Sequence, residues 1–121
     1  MQNTLKSLNQ IVIKIGSSSL THESGLIDLW KMESLVKQIA NLFNSGKDVI
    51  VVSSGAIAAG IGKMKLTEKP KAMPEKQAAA AVGQSTLMHM YEKFFSEYGI
   101  TVAQVLLTKE DMYEESRRAH C

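Results

Sequence analysis

Apolar and polar positions along this chain fall into two rhythms. Ile11-Val12-Ile13-Lys14-Ile15, Asp48-Val49-Ile50-Val51-Val52 and Ile100 to Leu107 are short, near-continuous, β-branched apolar runs. Such runs predict strands buried on both faces. Between the first two, Leu29, Met32, Leu35, Val36, Ile39, Leu42 and Phe43 keep the three-to-four spacing of one helix face and predict a helix over 29–44. Asp28 stands at its N-cap and Gly46 at the C′ position. A second, short helix of small residues is predicted from Ala56 to Gly62, and a long one from Pro74 to about Tyr98, stopped by Gly99. Thr108 caps a final helix whose first turn holds Asp111. Residues 16–27 and the lysine-rich 63–73 read as loops. The order is β-α-β-α-α-β-α, which predicts an α/β fold: a three-layer sandwich around a mainly parallel sheet. There is no internal repeat or linker, so the reading is one domain.

One polar residue breaks the first apolar run. Lys14 would be expensive to bury unless it met a negative group. Immediately after it, Gly16-Ser17-Ser18-Ser19 supplies bare backbone and hydroxyls where the strand stops. A cation, free amides and hydroxyls converging at a strand end form a plausible phosphate cradle. It is not a Walker A loop, because the lysine precedes the glycine and no GxxxxGK[ST] spacing is present. The second strand runs into Ser53-Ser54-Gly55-Ala56, a strand-to-helix turn. In parallel sheets ligands bind beyond the carboxyl ends of the strands, and both serine-glycine segments fall at that edge.

Composition narrows the function classes. The 121 residues carry a formal net charge of only +2, with 21% charged residues, which argues against a nucleic-acid or anionic-membrane partner. The single cysteine, Cys121, excludes a disulfide within one chain and fits a reducing, cytoplasmic location. No apolar run approaches a membrane span, and residues 1–10 lack the apolar region of a secretion signal. His22, His89 and His120 share no metal-ligand spacing, so no metal site is expected from the chain's own residues.

Four segments together resemble the glutamate 5-kinase family of the amino acid kinase superfamily. They are Val12-Ile13-Lys14-Ile15-Gly16-Ser17-Ser18-Ser19-Leu20-Thr21, Val52-Ser53-Ser54-Gly55-Ala56-Ile57-Ala58-Ala59-Gly60, Lys76-Gln77-Ala78-Ala79-Ala80-Ala81-Val82-Gly83-Gln84, and Gln104-Val105-Leu106-Leu107-Thr108 with Asp111-Met112. The resemblance spans about residues 10 to 118. It implies an amino acid kinase-like fold and transfer of a phosphoryl group from ATP, with Mg²⁺, to the γ-carboxylate of L-glutamate, the opening step of proline biosynthesis. By match to the motifs, Lys14 would face the transferring phosphoryl group and be catalytic. Gly16 and Ser17, with Lys14, would receive the nucleotide's phosphates, and Ser54, Gly55 and Ala56 would hold glutamate. Family members are longer than 121 residues. The resemblance therefore implies an incomplete domain: the N-terminal, amino-acid-substrate part, without the nucleotide-binding part and inactive alone. Its partners would be small molecules and a second copy of the chain, in a homo-oligomer.

Plainer readings stand beside these. Lys14 alone could snorkel from a strand end, and Ser53-Ser54-Gly55 could be only a helix cap. The run Ala78 to Ala81 reads as close packing, and Gln84 as a structural amide. Tyr91, Phe94, Phe95 and Tyr98 read as core or an interface stripe, and Arg117 and Arg118 as a solvated face. Two other functions compete with a kinase. A dinucleotide-binding module needs GxGxxG after the first strand, and Gly16-Ser17-Ser18-Ser19 lacks the later glycines. A non-catalytic assembly piece would use the aromatic helix over 85–98 to pair chains.

Overall fold

The computed structural model describes residues 9–105. Strands β1 (Gln10–Ile15) and β2 (Asp48–Ser53) pair in parallel, from Gln10 opposite Asp48 to Ile15 opposite Ser53. Helix α1 (Leu29–Asn44) makes the crossover between them, followed by α2 (Ala56–Met64) and α3 (Met73–Ser96). Each expected helix within these residues forms, α1 with the bounds its periodicity predicts. Asp28 caps α1 through its side chain, which accepts from the amides of Trp30 at 3.0 Å and Lys31 at 3.2 Å. Gly46 follows with φ +101°, as a C′ glycine does.

The core lies on one face of the sheet. From α1 come Met32, Val36, Ile39 and Ala40, at the spacing of a single helix face. Ile13, Ile15, Val49 and Val51 meet them from the strands. Helix α3 buries Ala79, Gly83, Leu87, Tyr91 and Phe95, one residue every four, so a single ridge runs its length. The ridge is small at its start and large at its end. The large end joins the core, and the small end receives α2.

That second contact is very close. A Cβ on Gly60 would lie 2.6 Å from the carbonyl carbon of Ala79 and one on Gly83 would lie 2.6 Å from the amide nitrogen of Gly60, overlapping the Ala56 carbonyl. The two helices therefore touch backbone to backbone. Of the alanine run, only Ala79 is fully buried, while Ala78 and Ala81 are exposed. The tight packing expected of that stretch is concentrated on Ala79 and Gly83.

Two expectations are corrected. Neither strand is buried on both faces: Val12, Ile50 and Val52 are 63%, 47% and 51% exposed, because no helix among the described residues covers their side of the sheet. The third strand does not form over residues 100–105. The amide of Ile100 instead closes the end of α3 by donating to the Phe95 carbonyl at 3.1 Å, after Gly99 has turned at φ +70°. Ile100 and Val102 still pack on the core, so the apolar alternation finds partners without a ladder. Residues 106–107 of that strand, the Thr108 cap with Asp111, the final helix, Arg117, Arg118, His120 and Cys121 lie outside the described residues.

The α2–α3 crossing should be the least tolerant point of the fold. Gly83→Ala is expected to destabilise by about 3 kcal/mol, at the upper end of overpacking losses. Gly46→Ala, with nothing within 4 Å of its new methyl, should cost only about 1 kcal/mol through its left-handed backbone. Urea denaturation of both variants checks this, and equal losses would mean that the two helices can part without penalty.

Candidate functional site

Parallel pairing brings the two serine-glycine segments together. Ile15 and Ser53 are the last paired residues, and the Ser54 amide then donates to the Ile15 carbonyl at 2.9 Å. This bond ties the turn after β2 to the end of β1. The chain leaves β1 through Gly16, whose backbone is ordinary and extended (φ −80°, ψ 161°) and whose position has nothing within 4 Å of a built Cβ. Among the described residues neither strain nor crowding requires glycine there. What glycine leaves is backbone open to close approach from outside. A single 3₁₀ turn over Ser17–Ser19 follows, with all three serines exposed. It is held by Ser19 N–H to Gly16 O at 3.1 Å, Leu20 N–H to Ser17 O at 3.0 Å and the Thr21 hydroxyl to Ser17 O at 2.9 Å. Leu20, fully buried, pins it to the core.

The second turn has a different need for glycine. Gly55 sits at φ +110°, and a methyl there would press on the Leu20 Cδ1 at 3.3 Å. Its left-handed step turns the chain from β2 into α2 while leaving Ser54 exposed. No side chain caps α2. The amides of Ala56, Ile57 and Ala58 begin the helix without intrahelical acceptors, so the positive end of α2 opens beside the Ser17–Ser19 turn. Ser53 faces the other way, toward α3, where its Oγ is 2.6 Å from the Tyr91 hydroxyl.

Lys14 lies on the uncovered face of the sheet, opposite Val52. It is exposed, so the burial penalty expected of it does not arise. Among the described residues its ammonium has no carboxylate partner; the one contact there between a basic side chain and a carboxylate joins His22 Nδ1 to Asp28 Oδ2 at 3.3 Å. Lys14, Gly16, Ser17, Ser54, Gly55 and Ala56 thus all occupy the carboxyl edge of two neighbouring strands. This edge is open. Two clefts among the described residues, of about 310 and 370 Å³, lie elsewhere: one between α2, α3 and Leu26, the other between α1 and Tyr98. A cationic side chain, a glycine-serine turn and an uncapped helix start can together bind an anion and stabilise charge on it.

Two features escape the sequence reading. The 16–27 loop is ordered: Thr21 bridges Ile27, Asp28 N–H bonds Leu20 O at 2.7 Å, and the Lys31 ammonium holds Thr21 O at 2.9 Å. Tyr91, expected only as core or interface, also has its hydroxyl on Ser53, 38 residues away. Burial raises the Tyr91 pKa above its ordinary value, an effect the Ser53 hydrogen bond partly offsets. The only sequence signal for this contact is the polar tip of a tyrosine on an apolar ridge. His89 is exposed, and His120 lies outside the described residues.

Comparison with known proteins gives a consistent result. The model of the amino acid kinase family matches residues 9–120. A glutamate 5-kinase of Clostridium tetani is 61% identical over 113 residues, covering 93% of this chain and 42% of that protein. Glutamate 5-kinases of Carboxydothermus hydrogenoformans and Symbiobacterium thermophilum are 60% and 50% identical, over 97% and 98% of this chain. The chain spans only 32% and 45% of those two proteins, so it is less than half the length of these relatives.

The two glycines of the edge should respond differently to a methyl group. Gly55→Ala is expected to lower stability by about 2 kcal/mol through its positive φ and its contact with Leu20. Gly16→Ala should change it by less than about 0.5 kcal/mol. Thermal denaturation of the two variants measures the contrast; a large loss at Gly16 would show that this glycine serves the fold and leave its openness without a functional meaning.

Proposed function

This chain belongs to the amino acid kinase family, and on that premise we propose that the whole protein transfers the γ-phosphoryl group of ATP to the γ-carboxylate of L-glutamate. The product would be L-glutamyl 5-phosphate, the first intermediate of proline biosynthesis. The observation that carries the reading is the Ser54 to Ile15 hydrogen bond, which sets the two serine-glycine segments side by side. Donor phosphates and acceptor carboxylate are both anions and must lie within reach of each other. The shared name of the relatives supports glutamate as the acceptor.

The chemistry asks little beyond placement. A carboxylate oxygen attacks the γ-phosphorus in line, the bond to the bridging oxygen breaks, and ADP leaves with its electron pair. The carboxylate is already a nucleophile at neutral pH, so no general base is required. Catalysis reduces to alignment and to stabilising charge on the phosphoryl oxygens. In this reading Lys14 is the catalytic cation. Gly16 and Ser17 let the phosphates approach the backbone. Ser54, Gly55 and the Ala56 amide, with the positive end of α2, hold the acceptor. Mg²⁺ would enter with the nucleotide and neutralise phosphate charge.

These residues would form the amino-acid-substrate part of the domain, and residues outside the stretch described here would bind the nucleotide base. The proposal includes a cytoplasmic location and a homo-oligomer. No described helix is long and apolar enough to cross a membrane.

Steady-state kinetics of the full-length protein separate the two roles. Lys14→Ala should lower kcat on the order of 10²-fold and leave the glutamate KM nearly unchanged, since the cation acts mainly in the transition state. A kcat within about threefold of wild type removes Lys14 from the mechanism. Ser54→Leu should raise the glutamate KM by about tenfold or more with little change in the ATP KM. The opposite pattern would reverse the assignment of the two segments.

A further inference from the structure

The hydroxyls of Ser53 and Tyr91 form a relay that ends on the backbone of the Ser54 turn. The Ser53 Oγ reaches the Ser54 carbonyl at 2.8 Å. It also lies 2.6 Å from the Tyr91 hydroxyl, a bond in which either oxygen can be the donor. The chain runs from the phenol of α3, through Ser53, to the carbonyl of Ser54 in the turn before α2. Each bond polarises the next. Tyr91 is a rigid anchor for it: 5% exposed, with its ring stacked on Phe95 at 6.3 Å. Ser54 is exposed; its amide is held by the Ile15 carbonyl at 2.9 Å, and the relay adds a second tie at its own carbonyl.

We propose that Tyr91 is a positioning residue for the acceptor site, holding the Ser54-Gly55 turn in its binding geometry through Ser53. It touches neither substrate, so its effect should appear in acceptor binding and not in nucleotide binding. The proposal rests on the reading of the Ser54 turn as the glutamate site.

The test is Tyr91→Phe in the full-length protein, which keeps the packed ring and deletes only the hydroxyl. Loss of one hydrogen bond of this kind predicts a rise of about threefold to tenfold in the glutamate KM, with the ATP KM unchanged. Ser53→Ala should do the same, and the double variant should be no worse than either single one, because the relay is broken once. Additive effects of the two substitutions would overturn the proposal, as would a glutamate KM within about 1.5-fold of wild type in Tyr91→Phe while Ser54→Leu still impairs glutamate binding. Equal rises in both KM values, tracking a lower melting temperature, would overturn it in favour of a purely structural tyrosine. If Ser54→Leu itself leaves the glutamate KM unmoved, the assignment of the acceptor site fails instead, and this inference falls with it.

Discussion

The close crossing of α2 and α3 is the constraint on which the rest of this structure depends. Where Gly83 passes Ala56 and Gly60 there is no room for a single methyl group. Helix pairs ordinarily stand 8–10 Å apart, separated by side chains; here backbone meets backbone. Ala56 is both the first residue of α2 and the carbonyl against which Gly83 rests. The point of closest packing is therefore one residue away from the turn that presents Ser54. A helix start held this firmly can offer its amides to an anion at a defined place, without reorganisation when the anion arrives.

The same ridge of α3 serves the site twice. Its small end, Ala79 and Gly83, sets the position of α2. Its large end, Leu87, Tyr91 and Phe95, fills the core beneath the sheet, and there the Tyr91 hydroxyl reaches Ser53. Leu87 also approaches the space above Gly55, together with Leu20 and Ile27. The buried side of the strand-end turn is thus apolar and crowded, while its outer side is polar and open. Buried groups position the turn, and exposed groups remain free for a ligand. The uncapped helix start is unfavourable for stability alone, since a cap commonly contributes about 1 kcal/mol. Local rules relaxed at one edge, with well-formed packing elsewhere, are the expected signature of a functional site.

Much of this was legible before any coordinates. Helix α1 could be read to its bounds because Asp28, the apolar spacing and Gly46 agree with one another. Both strands and the two serine-glycine turns were legible for similar reasons, as was the family, since four motifs in order leave little freedom. The third strand was misread because Ile100 to Val105 has the right residues, and residue type alone does not supply a hydrogen-bonding partner. The burial of β1 and β2 was overestimated for a related reason: an apolar face is covered only if some element packs over it. Thr21 with Ile27 looked like loop because a two-residue bridge is too short to show a period.

The sequence alone determined the elements, their order, and the residues with chemical capacity: Lys14 in an apolar run, glycines and serines at two strand ends, and an N-capped crossover helix. These are local properties, set by spacing and by what each side chain can donate, accept or bury. Tertiary structure decided which of them meet. The parallel register puts Ser54 against Ile15, the α2–α3 crossing fixes Ala56 against Gly83, and the i+4 ridge carries Tyr91 to Ser53. Those meetings join residues up to 39 positions apart in the chain (Ser54 less Ile15). They depend on how closely backbones approach, and a methyl group at Gly83, invisible to any hydropathy pattern, would be enough to prevent it.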